Sequence, residues 1–451
     1  MVVDDQDNML SSSGISRRSF IKGSALGLFG LGLSALGLTS GLSGCSSSAS
    51  QTVTVSVWDL FSGADGANTR AMIESIVQEH PGLFVAPTTL SWGNPYYTKL
   101  AMASASGAPP STAIMHVSRM PGFAPGGLIE PWDMKLFQEF DVGPEYFTDA
   151  LFGAGTYEGK QFAIPLDTHP FIAFYDQDVA DKAGVLGSDG RLEVDSAEAF
   201  YEVGVKLGEV IGGPGVAFGF QLDTAQAWRL FWGLYNQIGG GYDFSAGQRA
   251  QLDIDKAAQV VEAVHMWMDG KCMAKDQDYG GALSAFNGGR NALILSGVWE
   301  LNGFIENVPA LAASPTPTMF GQPANYADSH TYVLPTNRRM TDDLRQKTYE
   351  FVAAMLKLGD RWGKAGHIPG YLPSQEKPDY QKLELQNQYA DAAQTVIFDP
   401  PVWYAGAGTD FQNRMCQHLI EGFRGTTEPK RVIEQMLETA SSIAQQPNPT
   451  E

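Results

Sequence analysis

Thr52-Val53-Thr54-Val55-Ser56-Val57-Trp58 alternates polar and apolar side chains, the pattern of a strand with one buried face. A glycine-containing loop, Ser62-Gly63-Ala64-Asp65-Gly66, follows. Met72, Ile73, Ile76 and Val77 then recur at helical spacing until Pro81-Gly82 stops the helix. Phe84-Val85-Ala86 and Ala113-Ile114-Met115-His116-Val117 read as two further strands, with a helix around Tyr97 to Ala105 between them. Strand, helix, strand, helix, strand predicts an α/β fold on a mainly parallel sheet covered by helices.

Beyond Ala163-Ile164-Pro165 and the apolar Phe171 to Phe174, helical patterns dominate. Asp195 with Glu198 three residues on predicts a capped helix start, and Phe200, Val203, Leu207 and Val210 form its apolar stripe. Asp255 opens a second such helix with Val260, Val261, Val264 and Met268. Asn291 to Ser296 and Thr331 to Leu334 read as buried strands, and Phe351, Val352, Met355 and Leu356 mark one more helix. A last helix runs from about Pro429 with Val432, Ile433, Met436 and Leu437 inward.

Near the N-terminus, Ser16-Arg17-Arg18-Ser19-Phe20-Ile21-Lys22 sets two arginines ahead of an uncharged stretch from Gly23 to Gly44. Leu42-Ser43-Gly44-Cys45 then places small residues before a cysteine. The segment resembles a twin-arginine signal peptide ending in a lipobox. That implies removal of residues 1–44, acylation of Cys45 and a flexible tether over 45–50. The mature chain would be exported and held by lipid on the outer face of the cell membrane. A transmembrane helix is the alternative, because roughly 20 uncharged residues span a bilayer. The glycines between Gly23 and Gly41 oppose it, at roughly 1 kcal/mol per helix position relative to Ala.

Without the signal about 400 residues remain, enough for two lobes rather than one core. The net charge of −20 argues against nucleic acid and anionic lipid as surface partners. Cys272 and Cys416 both fall in segments that read as helices. A disulfide between them is open in an extracellular setting, but buried thiols suit export of an already folded chain better.

Further segments extend the pattern over nearly the whole mature chain. They are Glu79-His80-Pro81-Gly82 with Ser91-Trp92-Gly93-Asn94, Lys99-Leu100 to Pro110, and Gly126-Gly127-Leu128-Ile129-Glu130-Pro131. Next come Ile164-Pro165-Leu166-Asp167-Thr168-His169-Pro170, Tyr175-Asp176-Gln177-Asp178 and Gly239-Gly240-Gly241. Phe286-Asn287-Gly288-Gly289-Arg290-Asn291-Ala292, Ser296-Gly297-Val298-Trp299-Glu300 and Val333-Leu334-Pro335 close the set. In order and spacing it resembles the extracellular solute-binding proteins of carbohydrate ABC transporters, the family that includes maltose-binding protein. Two departures are Asn291-Ala292-Leu293, where relatives more often carry Ala-Ala-Met, and Pro109-Pro110-Ser111, where many have Pro-Asp.

The resemblance implies a periplasmic-binding-protein-like fold of type II, two α/β lobes joined by crossover strands around a ligand cleft. One lobe would hold 51–168 plus 327–366 and the other 171–325 plus 371–451. Crossovers would fall near Thr168 to Phe171, Asn325 to His330 and Gly366 to Tyr371. The implied partners are a carbohydrate, expected to be an oligosaccharide, and the membrane permease, with lobe closure delivering the sugar. A monomer is expected, with no cofactor and no metal.

A pyranose offers hydroxyls at its edges and C–H groups on its faces, so a site needs planar side chains and charged or amide groups. Among nine tryptophans, Trp92, Trp228, Trp232, Trp299 and Trp403 lie in or beside loops and helix starts. Trp299 follows Gly297 at a strand end, where the resemblance implies a stacking aromatic. Trp228, Trp232 and Tyr235 share a helix face at ordinary core spacing, and one of them could still reach the cleft. Asp65 sits in the turn after the first strand, where it either contacts ligand or caps the helix. Asp167 and His169 flank a crossover. His116, Ser118 and Arg119 follow a strand end, the side of an open α/β sheet where ligands collect. Glu300, His330 and Tyr371 complete the ligand-binding set, and any of these residues could serve interlobe packing instead.

No His-Glu-x-x-His, Gly-x-Ser-x-Gly or Gly-x-x-x-x-Gly-Lys-Ser/Thr occurs. Asp276-Gln277-Asp278-Tyr279-Gly280 lacks the glutamate and length of a calcium loop. The chain therefore reads as a binding protein and not an enzyme. Glycoside hydrolysis by paired carboxylates is the enzymatic rival, and a binding protein for a polyamine or organic anion is the second.

Overall fold

The computed structural model describes residues 53–222 and 225–450. Arg17, Arg18 and Cys45, with the expected signal 1–44 and tether 45–50, lie outside the described residues. Among the described residues no helix is long and apolar enough to cross a membrane.

Two main sheets organise the chain. In the first, Thr54–Asp59 pairs in parallel with Phe84–Thr89 and Thr112–His116. Helices Gly63–Glu79 and Asn94–Ser106 make the connections, as the alternation at the start of the chain predicts. His330–Pro335 enters antiparallel beside Thr112–His116. Ile129–Glu130 and Ala163–Pro165 pair with that late strand. Helix Asp342–Lys357 covers the sheet, burying Phe351, Val352, Met355 and Leu356 as its spacing predicts.

The second sheet is centred on the ten-residue strand Asp167–Asp176. It pairs antiparallel with Leu293–Gly297, Leu311–Pro315, Asn325–Asp328 and Ile368–Pro369. Phe171 to Tyr175 are all buried, so this strand is apolar on both faces and no alternation marks it in the sequence. Helices Ala197–Ile211, Gln226–Gln237, Ile254–Trp267, Asp410–Phe423 and Pro429–Ala444 supply most of its core.

Three passages carry the chain between the sheets: Pro165 to Asp167, Asp328 to His330, and Trp362 to Ile368. The third turns on Gly366, whose φ of +107° lies in the region that side chains avoid. A Cβ there would also meet the carbonyl of Val298.

Local details differ from the sequence reading. Ser196, not Asp195, caps its helix, accepting a hydrogen bond from the Ala199 N–H at 3.1 Å. Asp253, not Asp255, caps the next, accepting from the Lys256 N–H at 3.1 Å. Either acidic residue is two positions or fewer from a competing cap, so spacing to an apolar stripe does not choose between them. Cys272 lies past the end of Ile254–Trp267 rather than within a helix, and both thiols are free and buried. Burial pushes the Cys272 thiol up.

Candidate ligand-binding site

The register of the first sheet sets His330 directly opposite His116, so their rings share a face with centroids 4.8 Å apart. In the second sheet Asp328 pairs with His169, and the His169 ring stacks on His330 at 4.1 Å. These three imidazoles form the floor of a cleft of about 820 Å³. One wall is the turn from Leu60 to Asp65 with Trp92; the other is Ala225 to Arg229, Tyr279 and the segment from Trp299 to Glu306.

Trp299 is half-buried on the second wall. Its Nε1–H donates to the Tyr279 hydroxyl at 2.9 Å, and that hydroxyl donates to Glu300 Oε1 at 2.5 Å. The Arg229 guanidinium lies 4.7 Å from the indole centroid, a cation–π contact. Burial raises the Glu300 carboxyl, opposed by its hydrogen bond from Tyr279. Burial likewise pushes Tyr279 up, and the neighbouring Glu300 charge adds to it. The wall therefore offers an aromatic face held in place by a relay, with a cation and a carboxyl beside it.

Behind the floor, Asp167 is fully buried and accepts four hydrogen bonds. They come from His169 Nδ1 at 2.9 Å, His330 Nδ1 at 2.8 Å, the His330 backbone N–H at 2.9 Å and Trp362 Nε1 at 2.7 Å. Burial alone would raise the Asp167 carboxyl, but the surrounding histidines and hydrogen bonds outweigh it and hold it well below the usual range. Burial pushes His169 down to about 3 and His116 well below its ordinary value. His367 behaves oppositely: burial disfavours its charge, yet Asp65 and Asp167 outweigh burial and raise it. His367 Nε2 meets Asp65 Oδ1 at 3.1 Å.

Of the residues expected from sequence, Asp65, Trp92, His116, His169, Trp299, Glu300 and His330 line this one cleft. Asp167 sits beneath it. Ser118 and Trp403 instead line a second cavity of about 760 Å³ with Tyr242 and Phe398. Ser118 Oγ donates to Asp328 Oδ2 at 2.5 Å and accepts from the Ala407 N–H at 3.0 Å. Arg119 stacks over Tyr97 at 4.0 Å and donates to the Ala407 carbonyl at 2.8 Å, outside both cavities. Trp228 and Trp232 are fully buried, stacked on each other at 5.0 Å, with their N–H groups donating to Asp399 and the Phe398 carbonyl. Tyr371 is buried in the first core and donates to the Asp141 carbonyl at 2.8 Å.

Arg229, Tyr279, Phe61, Asn302 and His367 belong to the site and its support but were not singled out from sequence. Arg229 follows Trp228 directly, so the aromatic spacing that marks this helix as core hides a residue that leaves it. Asp278, in the calcium-like stretch, caps the helix that carries Tyr279, accepting from the Gly281 N–H at 2.7 Å.

Residues 62–356 match the family described as bacterial extracellular solute-binding protein. The GacH receptor of Streptomyces glaucescens, solved unliganded and with acarbose, aligns at 17% identity and a TM-score of 0.72, over 87% of this chain and 98% of that one. Maltose-bound MalE3 of T. maritima aligns at 14% identity and 0.71, over 86% and 99%. UgpB of Mycobacterium tuberculosis, in complex with glycerophosphocholine, aligns at 17% and 0.71, over 86% and 98%. Comparison with curated proteins found no match. The architecture is the periplasmic-binding-protein-like fold of type II.

Proposed function

The chain belongs to the bacterial extracellular solute-binding proteins, and on that premise we propose that its cleft captures an oligosaccharide outside the cell for an ABC importer. The carrying observation is Trp299. Its indole lines a cleft of about 820 Å³, with the Arg229 guanidinium over one face of the ring, Glu300 next to it and Asp65 on the opposite wall. An aromatic plane satisfies the C–H face of a pyranose, and carboxylates and a guanidinium take its hydroxyls in pairs. The volume falls in the upper part of the ~300–1,000 Å³ range of ligand sites, which suits more than one ring.

Lobes made of 51–168 plus 327–366 and of 171–325 plus 371–451 would close about the three passages, and the closed form would dock on the permease. A cleaved signal 1–44 carrying Arg17 and Arg18, and an acylated Cys45, would keep the mature monomer at the outer face of the membrane. The protein acts by capture and not by catalysis. Polar groups in the cleft are braced against one another, as Tyr279 is with Glu300, instead of being poised around a nucleophile.

A thermal-shift screen over maltodextrins, other oligosaccharides, polyamines and glycerophosphodiesters tests this reading. A specific ligand at 100 times its Kd stabilises by ~2.7 kcal/mol. Stabilisation by an oligosaccharide without release of reducing sugar supports it. Stabilisation by a polyamine or phosphodiester alone, or steady release of reducing sugar, overturns it.

A further inference from the structure

Four of the seven histidines of the chain gather in one place. Three of them, His169, His330 and His367, each have Nδ1 against the Asp167 carboxylate, at 2.9, 2.8 and 3.3 Å. One ligand atom from each of Asp167, His169, His330 and His367 lies within 4.8 Å of the other three, and all four residues are buried. Each passage between the sheets contributes: the first brings Asp167 and His169, the second His330, the third His367.

We propose that Asp167, His169, His330 and His367 form a binding site for one divalent transition metal ion of the Zn2+ class. Three imidazoles and a carboxylate are a nitrogen and oxygen set that suits such an ion. With metal–ligand bonds of ~2.0–2.2 Å, neighbouring ligand atoms of a tetrahedral site stand roughly 3.3–3.5 Å apart. The imidazole nitrogens approach the carboxylate at or inside that spacing, His169 at Oδ1 and His330 and His367 at Oδ2. With one atom from each residue the set spans at most 4.8 Å, so its widest pairs would draw in around the ion.

Two observations independent of the clustering point the same way. His367 is fully buried, and its Nδ1 makes no hydrogen bond among the described residues, because its 3.3 Å approach to Asp167 has the wrong geometry. A buried imidazole nitrogen aimed at a carboxylate without bonding to it is a ligand atom awaiting an ion. Its other nitrogen, Nε2, is held by Asp65, the carboxylate–histidine arrangement that orients metal-binding imidazoles. The carboxylate itself is fixed from behind by Trp362 Nε1 and the His330 N–H.

The charge balance also fits. Among the described residues Asp65 and Asp167 pair with histidines only, not with Lys or Arg. A divalent ion would offset both carboxylates with all three imidazoles neutral. Each ring would then carry its proton on Nε2: His367 toward Asp65, His169 and His330 toward the cleft they line. Binding would move the protons of His169 and His330 from Nδ1 to Nε2.

The test uses the full chain stripped with a chelator, titrated with Zn2+ by calorimetry and with Co2+ by visible absorption. One equivalent of Zn2+ and an intense four-coordinate Co2+ spectrum are expected. His367→Gln removes a ligand and should weaken Zn2+ about a hundredfold. Asp65→Asn removes only the outer support and should weaken it about tenfold. Asp65 is partly exposed, so this second variant reads out even if His367→Gln fails to fold. No saturable binding overturns the site, as does Zn2+ affinity and Co2+ absorption unchanged in Asp65→Asn and in a folded His367→Gln.

Discussion

The indole of Trp299 lies against the Cα of Gly297, so closely that a methyl group at Gly297 would overlap the six-membered ring. Gly297 has a φ of −87°, which any residue adopts, so glycine is needed there for space and not for backbone freedom. Gly297→Ala should therefore push the indole out of its position over the cleft and away from Tyr279. We expect at least a tenfold loss of sugar affinity by calorimetry with a changed tryptophan emission. An unaltered affinity would mean that the placement of the ring is irrelevant to capture.

Trp299→Ala removes the aromatic face itself. Truncating a central aromatic anchor costs ~2 kcal/mol or more, so affinity should fall about thirtyfold or further. The melting temperature without ligand should hold, since the ring is half-exposed. A collapse of the unliganded protein would instead return Trp299 to the core.

Trp228→Ala should do the reverse. The side chain is fully buried and packs on Trp232 and Phe411, so its loss costs ~3–5 kcal/mol of stability by chemical denaturation. It touches no cleft, and sugar affinity of the folded fraction should change little. Near-normal stability would show that the helix Gln226–Gln237 is not packed as described.

Asp399 gives a pH signature. Its carboxyl is raised, chiefly by burial, against the hydrogen bonds from Trp228 and Tyr326. Below the ordinary carboxylate pKa of ~3.9 both folded and unfolded chains hold this proton. As pH rises from there to the raised folded value, the unfolded chain gives it up first, so Asp399 lowers stability across that window and by a constant amount above it. Asp399→Asn keeps an acceptor for Trp228 and cannot ionise. Its stability relative to wild type should therefore climb with pH from about 4 upward, measured by denaturant unfolding at several pH values; a flat difference would contradict the raised carboxyl.

The anchor is tested in cells. Cys45→Ser should release the protein from the membrane fraction, and replacing Arg17 and Arg18 together with Lys should stop export. Membrane retention of the first variant, or normal export of the second, would each remove one part of the proposed route.

Sequence carried the local parts of this molecule well. Alternation from Thr52 to Trp58 and the stripe Met72, Ile73, Ile76 mark the parallel start of the first sheet, because strand and helix periods are local signals. His116 could be named because it follows a strand, and His169 and His330 because they lie at expected crossovers. What joined them could not be read. Asp167 meets His330 across 163 positions and Trp362 across 195, and no periodicity or short spacing survives such a distance. Likewise the placement of Trp403 and Ser118 in a second cavity depends on which side of the passages each strand end emerges.

The late strand His330–Pro335 has a consequence for synthesis of the chain. It completes a sheet whose first strand, Thr54–Asp59, left the ribosome long before. Until then the Thr112–His116 strand has an open edge, and Asp167 has only His169 near it in the chain. The first half of the polypeptide therefore waits, incompletely paired, while the whole of the second sheet's inner strands are made, a state that exposes an unpaired strand edge to neighbours. Newly made chains should depend on a holding chaperone for that interval, and the dependence should end only once His330–Pro335 and the covering helix Asp342–Lys357 have emerged from the ribosome.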